Sequence, residues 1–312
     1  MVSMETILKV EKGVIYLKLW NLQIMISNSS SHLQIVADYI RNCRRLTVLT
    51  GAGISAESGV PTFRSSQSRS SQGGASVLAA SGASQDENSP TPLWEKYDPS
   101  ELACAQGFRK HPELVWQWYD WRRRLVEGVE PNAGHLALAQ IEKLIAPRPF
   151  TLITQNVDRL HHRAGSENIV EVHGNILTFR CFDHGHQASD VPYNLMEPPV
   201  CNSDSAGSGS TSCASCSSKL RPNVVWFGES LDPEVLASAM KAARQCDLFI
   251  AIGTSALVQP AASLPYVAQD HGAKLVEINL ERTPLSDSVD VFLSGKSGAV
   301  LPALLSLVNQ QQ

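Results

Sequence analysis

The sequence predicts an α/β protein with a doubly wound parallel sheet and a small cysteine-bearing insert. Three observations carry this. Four short apolar runs, at residues 46–50, 150–154, 247–255 and 274–281, lead into small or polar residues at their ends. The first breaks directly into Gly51-Ala52-Gly53, with Ser55 and Glu57 next, residues suited to a first helical turn. Between residues 181 and 216, two close pairs of potential metal ligands flank a Ser/Gly-rich stretch.

The 312 residues give room for one large domain and a smaller insert. A hydrophobic content of 43% with 18% charge suits a globular chain rather than a disordered one. The net charge of -4 gives no reason to expect nucleic acid binding. No run approaches the roughly 18 apolar residues of a membrane span, so no membrane partner is expected. Seven cysteines, an odd number without a signal-peptide pattern, argue against a disulfide framework.

Taken in order, residues 1–31 form an extension with no expected function. Its apolar stretch is short, Glu5 and Glu11 do not suit an Arg-rich transit peptide, and Met25 offers a second start. Leu33, Val36, Ile40 and Cys43 fall at helical spacing, so a helix precedes the strand at 46–50. Strand, glycine turn and helix start can present backbone N–H groups to a phosphate, where a side chain would hold a pyrophosphate away. The spacing is not G-x-G-x-x-G, because the third glycine comes late, at Gly59. Residues 65–92 are Ser/Gly/Gln-rich and cannot build a core, which reads as a loop.

Residues 111–127 predict a helix with Pro112 at its start and Leu114, Trp118, Trp121 and Leu125 on one stripe. Tyr119 and Arg122 share a face. They read either as a solvated edge or as a phenol and guanidinium receiving a carboxylate. The strand at 150–154 leads into Gln155, Asn156 and Asp158, which are turn and cap residues or reach a ligand beyond the sheet's carboxyl end. His173 follows another polar strand end and suits a structural role or that of a base. In the insert, 174–222, Cys181, His184, Cys213 and Cys216 are the expected zinc ligands, with His186 and Cys201 as rivals for the fourth place. Residues 220–229 return as an extended segment, and LPALLSLV closes the chain as a helix.

GAGISAESGVPTFR, TQNVDRLHHRAG, EVHGN, the cysteine-rich insert, VVWFGE, GTSALVQPAA and INLE stand in the order found in the sirtuins, which the chain resembles from about residue 33 to 307. That resemblance implies a Rossmann-like NAD-binding domain over 32–173 and 223–312, with 174–222 as a structural zinc insert. It implies NAD contacts at Gly51, Ala52, Gly53, Ser55, Phe63, Arg64, Trp94, Gln155, Asn156, Asp158, Gly253, Thr254, Ser255, Asn279, Glu281 and Ser297. His173 is implied as the base, working with Asn156 and Asp158. NAD is then consumed, with nicotinamide, free lysine and O-acyl-ADP-ribose released. Tyr119-x-x-Arg122 and Trp226 resemble the sirtuin-five type, which implies removal of succinyl, malonyl or glutaryl groups from lysine. Ala103 would leave room for the acyl chain, and Val225, Phe227, Gly228 and Glu229 would hold the substrate as an added strand. Acyl-lysine proteins are the implied partners, the chain is expected to act as a monomer, and the branch points to mitochondria, with cytoplasm or nucleus as alternatives. Against this stand an ordinary deacetylase or mono-ADP-ribosyltransferase, and a non-catalytic NAD-binding module.

Overall fold

The computed structural model describes residues 31–61, 97–188, 190–201 and 216–310. Residues 1–30, the Ser-rich tract 65–92, and Phe63, Arg64, Trp94 and Cys213 lie outside the described residues.

A helix over 31–42 (α1) leads into β1 (Leu46–Thr50), and the glycine turn opens α2 (Ala52–Ala56). Three helices follow: α3 (Pro99–Leu102), α4 (Ala105–Lys110) and the long α5 (Pro112–Gly128). Proline at the first turn of α5 is compatible with helix because its missing N–H would have no intrahelical partner there. The next helix, α6 (Ala133–Ile145), starts at Asn132, whose side chain accepts the Gly134 N–H at 2.9 Å. Then come β2 (Phe150–Thr154), α7 (Leu160–Arg163) and β3 (Ile169–Glu171). The insert supplies β4 (Gly174–Cys181), β5 (Gln187–Ala188) and β6 (Leu220–Val224). The chain closes with α8 (Pro233–Gln245), β7 (Leu248–Ile252), α9 (Leu264–Asp270), β8 (Lys274–Asn279), β9 (Val291–Ser294) and α10 (Ser297–Asn309).

Six strands form one parallel sheet in the order β3-β2-β1-β7-β8-β9. Alternation along each strand divides the core into two faces. Val48, Leu152, Ile250 and Val276 point to the face covered by α1, α6 and α10. Leu49, Ile153, Phe249 and Leu275 point to the face covered by α8 and α9. Helices on both faces make the sheet doubly wound, as the apolar runs predict. Chain order reverses at β1, which has β2 on one side and β7 on the other, so the crevice at the carboxyl ends of β1 and β7 is the place such a fold offers a ligand.

A second layer covers that crevice. Strands β5-β4-β6 pair antiparallel, and α3 to α5 pack on them rather than on the six-stranded sheet. Trp118, Tyr119, Phe108, Ile176 and Trp226 form one cluster. Trp116, Phe179, Leu220 and three cysteines form another. The aromatic stripe of α5 therefore binds the insert, and its other side faces the crevice.

Candidate functional site

A cavity of about 1040 Å³ lies between the carboxyl end of the six-stranded sheet and the second layer, at the upper end of what ligand pockets occupy. The sheet side contributes Gly51, Ala52, Gly53 and Ser55 after β1, Gln155, Asn156 and Asp158 after β2, and His173 after β3. Gly253, Thr254 and Ser255 follow β7, with Asn279 and Glu281 at the end of β8. The second layer contributes Ala103, Tyr119 and Arg122, and the loop after β6 brings Val225, Phe227, Gly228 and Glu229. Ser297 stands apart, in an adjoining cleft of about 220 Å³ that shares Gly53, Gly253 and Asn279 with the main cavity. Its hydroxyl donates to Glu57 Oε1 at 3.1 Å, and Glu57 also accepts the Gly298 N–H at 2.9 Å, closing the start of α10.

The glycines of the turn serve a closer contact than the sequence suggests. A Cβ on Gly53 would lie 2.7 Å from Gly253 Cα, and one on Gly51 would lie 2.8 Å from Thr254 Cα. Gly253 itself has φ +57 and would press a Cβ to 2.7 Å from the Ile54 nitrogen. The two turns therefore touch backbone to backbone. The Gly51 and Gly53 N–H groups donate to the carbonyls of Ile252 and Gly253 at 3.0 and 2.8 Å, so neither is left for a phosphate. Over Gly51, Gln155 Nε2 donates to Thr254 Oγ1 at 2.9 Å, and Asn279 Nδ2 donates to the Thr254 carbonyl at 2.8 Å. These bonds tie β2, β7 and β8 together at the rim.

Beneath the turn runs a buried polar network. The Asn132 backbone N–H donates to His135 Nδ1 at 3.3 Å, which leaves the ring proton on Nε2 to donate to Ser55 Oγ, also at 3.3 Å. Asn156 Nδ2 donates to Ser55 Oγ at 3.0 Å and to the Gly51 carbonyl at 3.1 Å. Ser55 also hydrogen-bonds the Asp158 carboxylate, whose pKa burial raises while the Leu160 N–H and Arg122 oppose the shift. His161 Nε2 meets Thr50 Oγ1 at 3.0 Å, and its ring lies 4.8 Å from that of His135. Burial pulls the His135 pKa down to about 4 and that of His161 well below its ordinary value. Both rings are therefore neutral parts of the floor. Asn132, His135 and His161 were not legible as site residues; the signal was the Asn-Ala-Gly-His start of α6, a cap with its own histidine.

His173 is poised differently. Its Nδ1 lies 3.1 Å from the Gln155 carbonyl, which can only accept, so the proton sits on Nδ1 and Nε2 carries the lone pair. Burial lowers the ring's pKa, and the Gln155 bond opposes that shift. A neutral imidazole fixed in one tautomer and lining a cavity can act as a base.

On the opposite wall Tyr119 is 3% exposed. Its hydroxyl accepts the Trp226 Nε1–H at 2.9 Å, and burial pushes its pKa up to about 12. Arg122 lies over the Trp118 ring, 5.2 Å from its centroid. Burial lowers its pKa, against the pull of Tyr119 and Asp158. Glu229 lines the cavity, but its carboxylate faces inward to Arg221, Arg180 and the Trp226 N–H. Its backbone N–H is taken too, by the Trp226 carbonyl at 3.0 Å, so Glu229 offers a ligand its carbonyl. Val60, Val126, Val157 and Leu231 add to the apolar lining. They lie far apart in sequence, and although Val60 and Val157 fall inside quoted motifs, nothing in the sequence marked the four as one lining.

Among the described residues, the group that could hold a metal differs from the expected ligand set, whose Cys213 lies outside them. Cys181, His186, Cys201 and Cys216 offer ligand atoms that all lie within 4.8 Å of one another. His184 is left out of this group, although its Nδ1 reaches Cys216 Sγ at 3.4 Å. The reason is local: the turn after β4 folds so that the His186 N–H bonds Cys181 Sγ at 3.4 Å while its ring faces Cys201 at 3.8 Å. The bridge between Val200 and Lys219 then sets Cys201 close to Cys216. Tetrahedral zinc with Zn–S bonds of about 2.3 Å holds sulfurs roughly 3.8 Å apart. Cys181 and Cys216 lie at 3.9 Å. Three thiols and one imidazole, mostly buried, fit such an ion.

The Sir2 family model matches residues 74–260. An NAD-dependent protein deacylase of Aquifex aeolicus (strain VF5) is 39% identical over 266 residues, spanning 85% of this chain and 96% of that protein. NAD-dependent protein deacylase 2 of Pyrobaculum aerophilum is 40% identical over 277 residues, spanning 88% and 96%. Among solved structures, a Sir2 homologue in complex with NAD matches with a TM-score of 0.71 at 40% identity, covering 88% of this chain and 92% of that one. Sir2Af2 bound to a myristoylated histone peptide matches at 0.64 and 29% identity, covering 89% and 97%. With this fold, this cavity and these relatives along most of its length, the chain belongs to the Sir2 family, the sirtuins.

Proposed function

We propose that this sirtuin is an NAD-dependent protein lysine deacylase that prefers acyl groups ending in a carboxylate, such as succinyl, malonyl and glutaryl. The observation that carries the reading is that Tyr119 and Arg122, a turn apart on α5, line the same cavity as the tautomer-fixed His173. A neutral phenol and a guanidinium beside a base suit a lysine acyl chain with an anionic end.

The cavity suits the dinucleotide in size, and its rim offers Ser255, Asn279 and Glu281 on the adenosine side with Gln155, Asn156 and Asp158 on the nicotinamide side. When bound, NAD supplies the ribosyl group to which the acyl moiety passes. His173 Nε2 takes up a hydroxyl proton, and Asp158 and Asn156, held through Ser55, fix the surroundings of that proton. Phe227, half exposed, and Gly228 present an edge beside the cavity on which a substrate backbone can lie. Zinc held by Cys181, His186, Cys201 and Cys216 would be structural, joining β4 to the strand that leads into this loop.

The test is mass spectrometry of one peptide sequence carrying acetyl-, succinyl- or malonyl-lysine, incubated with and without NAD. The expected result is NAD-dependent loss of succinyl and malonyl well ahead of acetyl. Faster loss of acetyl would remove the carboxylate-receiving role of Tyr119 and Arg122.

A further inference from the structure

We infer that Trp226 is a positioning residue for acyl selectivity: its indole N–H fixes the direction of the Tyr119 hydroxyl and so makes it a donor toward the acyl end. This rests on the acidic-acyl reading above and adds to it a residue that need not touch the acyl carboxylate.

The direction of the bond follows from chemistry. Indole nitrogen is a donor only, so at 2.9 Å the Tyr119 oxygen must accept. The phenol's own proton must then point away from the indole, and no bond from it to a described residue competes with the cavity. Tyr119 is nevertheless buried and lines the cavity beside Arg122. A proton directed into that cavity can bond a ligand oxygen in place of water. An anionic oxygen is favoured most because the guanidinium is close.

Trp226 is itself held from three sides. The Arg221 guanidinium lies over its ring, 3.3 Å from the centroid. Glu229 binds that guanidinium through both oxygens and also accepts the Trp226 backbone N–H at 2.9 Å. Phe108 packs at 5.4 Å from the indole. The indole is 2% exposed. The loop that presents the substrate backbone is thus connected to the acyl pocket through one relay, from Glu229 to Arg221 to Trp226 to Tyr119. Without the indole donor the phenol can rotate, and its proton is no longer committed to the cavity.

The experiment is a double-mutant cycle read as the ratio of kcat/KM for succinyl-lysine to that for acetyl-lysine in one peptide sequence. The ratio is taken within each variant, so the folded fraction cancels. Trp226→Phe should lower it about fivefold to tenfold, as the loss of the net worth of one oriented hydrogen bond does. Tyr119→Phe should lower it at least as far, and adding W226F to Y119F should lower it no further. If W226F folds poorly, benzothienylalanine at position 226, which keeps the indole shape and lacks the N–H, should give the same loss. Equal losses on both peptides, or an undiminished W226F effect in the Y119F background, overturn the inference while leaving the acidic-acyl reading in place. A wild-type enzyme without succinyl preference overturns both.

Discussion

On the sheet side of the cavity, the wall is made of glycine backbone and polar side chains, many of them bonded to one another. The wall formed by α5 and the loop after β6 carries a guanidinium, a phenol and an indole, with an Arg–Glu pair behind them. On the first wall the tolerances are steric: Gly51, Gly53 and Gly253 leave no room for a methyl group between two turns. On the second they are directional, set by which atom donates to which. A reaction shared by a family needs the rigid wall. Choice among acyl groups needs the directional one, where a few hydrogen bonds can be exchanged without disturbing the sheet.

The largest expected effect lies on the rigid wall. Replacing His173 with Ala should lower turnover by roughly 10² to 10⁴-fold on every acyl peptide, with NAD binding by calorimetry unchanged. A variant that loses only succinyl activity would place His173 on the wrong side of the comparison. Removing the metal should come next. One zinc per chain is expected by elemental analysis, and structural zinc sites contribute about 10–16 kcal/mol of apparent binding energy. Chelation should expose Cys181, Cys201 and Cys216 to a thiol reagent and abolish activity by loosening the second layer, while β1, β2 and β7 keep their amide protection. Unchanged thiol reactivity and activity would contradict the cluster.

The smallest effect concerns pH. His135 has a folded-state pKa of about 4 against 6.5 for the free ring, because burial disfavours its charged form. The unfolded chain binds that proton more readily, so the folded state is favoured above pH 6.5 and loses stability as pH falls toward 4. The loss from this ring is roughly 3 kcal/mol, with His161 shifting in the same direction. Denaturant midpoints from pH 7 to 4 should fall in wild type and fall less in His135→Gln. Parallel slopes would show that the rings do not titrate this way.

How much of this was legible in the sequence depends on range. β1, β2, β7 and β8 showed as apolar runs because a strand buried on both faces needs little else. The α5 stripe was legible because its apolar residues recur at helical spacing, though not its partner, since periodicity does not say which sheet a helix meets. β9 (Val291–Ser294) is too short to stand out, and α6 was marked only by its Asn-Ala-Gly-His start. The glycines were found but for an incomplete reason, because the closeness of Gly53 and Gly253 joins residues 200 apart in sequence. The metal ligands depend on range in the same way: Cys-x-x-His spacing favoured His184 over its rivals His186 and Cys201, while among the described residues the turn after β4 and the Val200–Lys219 bridge bring both rivals to Cys181 and Cys216. The bond from Trp226 to Tyr119, spanning 107 positions, had no local signature.

The most direct test of the central claim is a competition in one tube between succinyl- and acetyl-lysine forms of one peptide, with NAD, followed by mass spectrometry for wild type and Arg122→Met. The account predicts that wild type consumes the succinyl peptide first and that the substitution reverses the order, because only the succinyl end carries a charge for the guanidinium to meet. Equal slowing of both peptides by the substitution would contradict it.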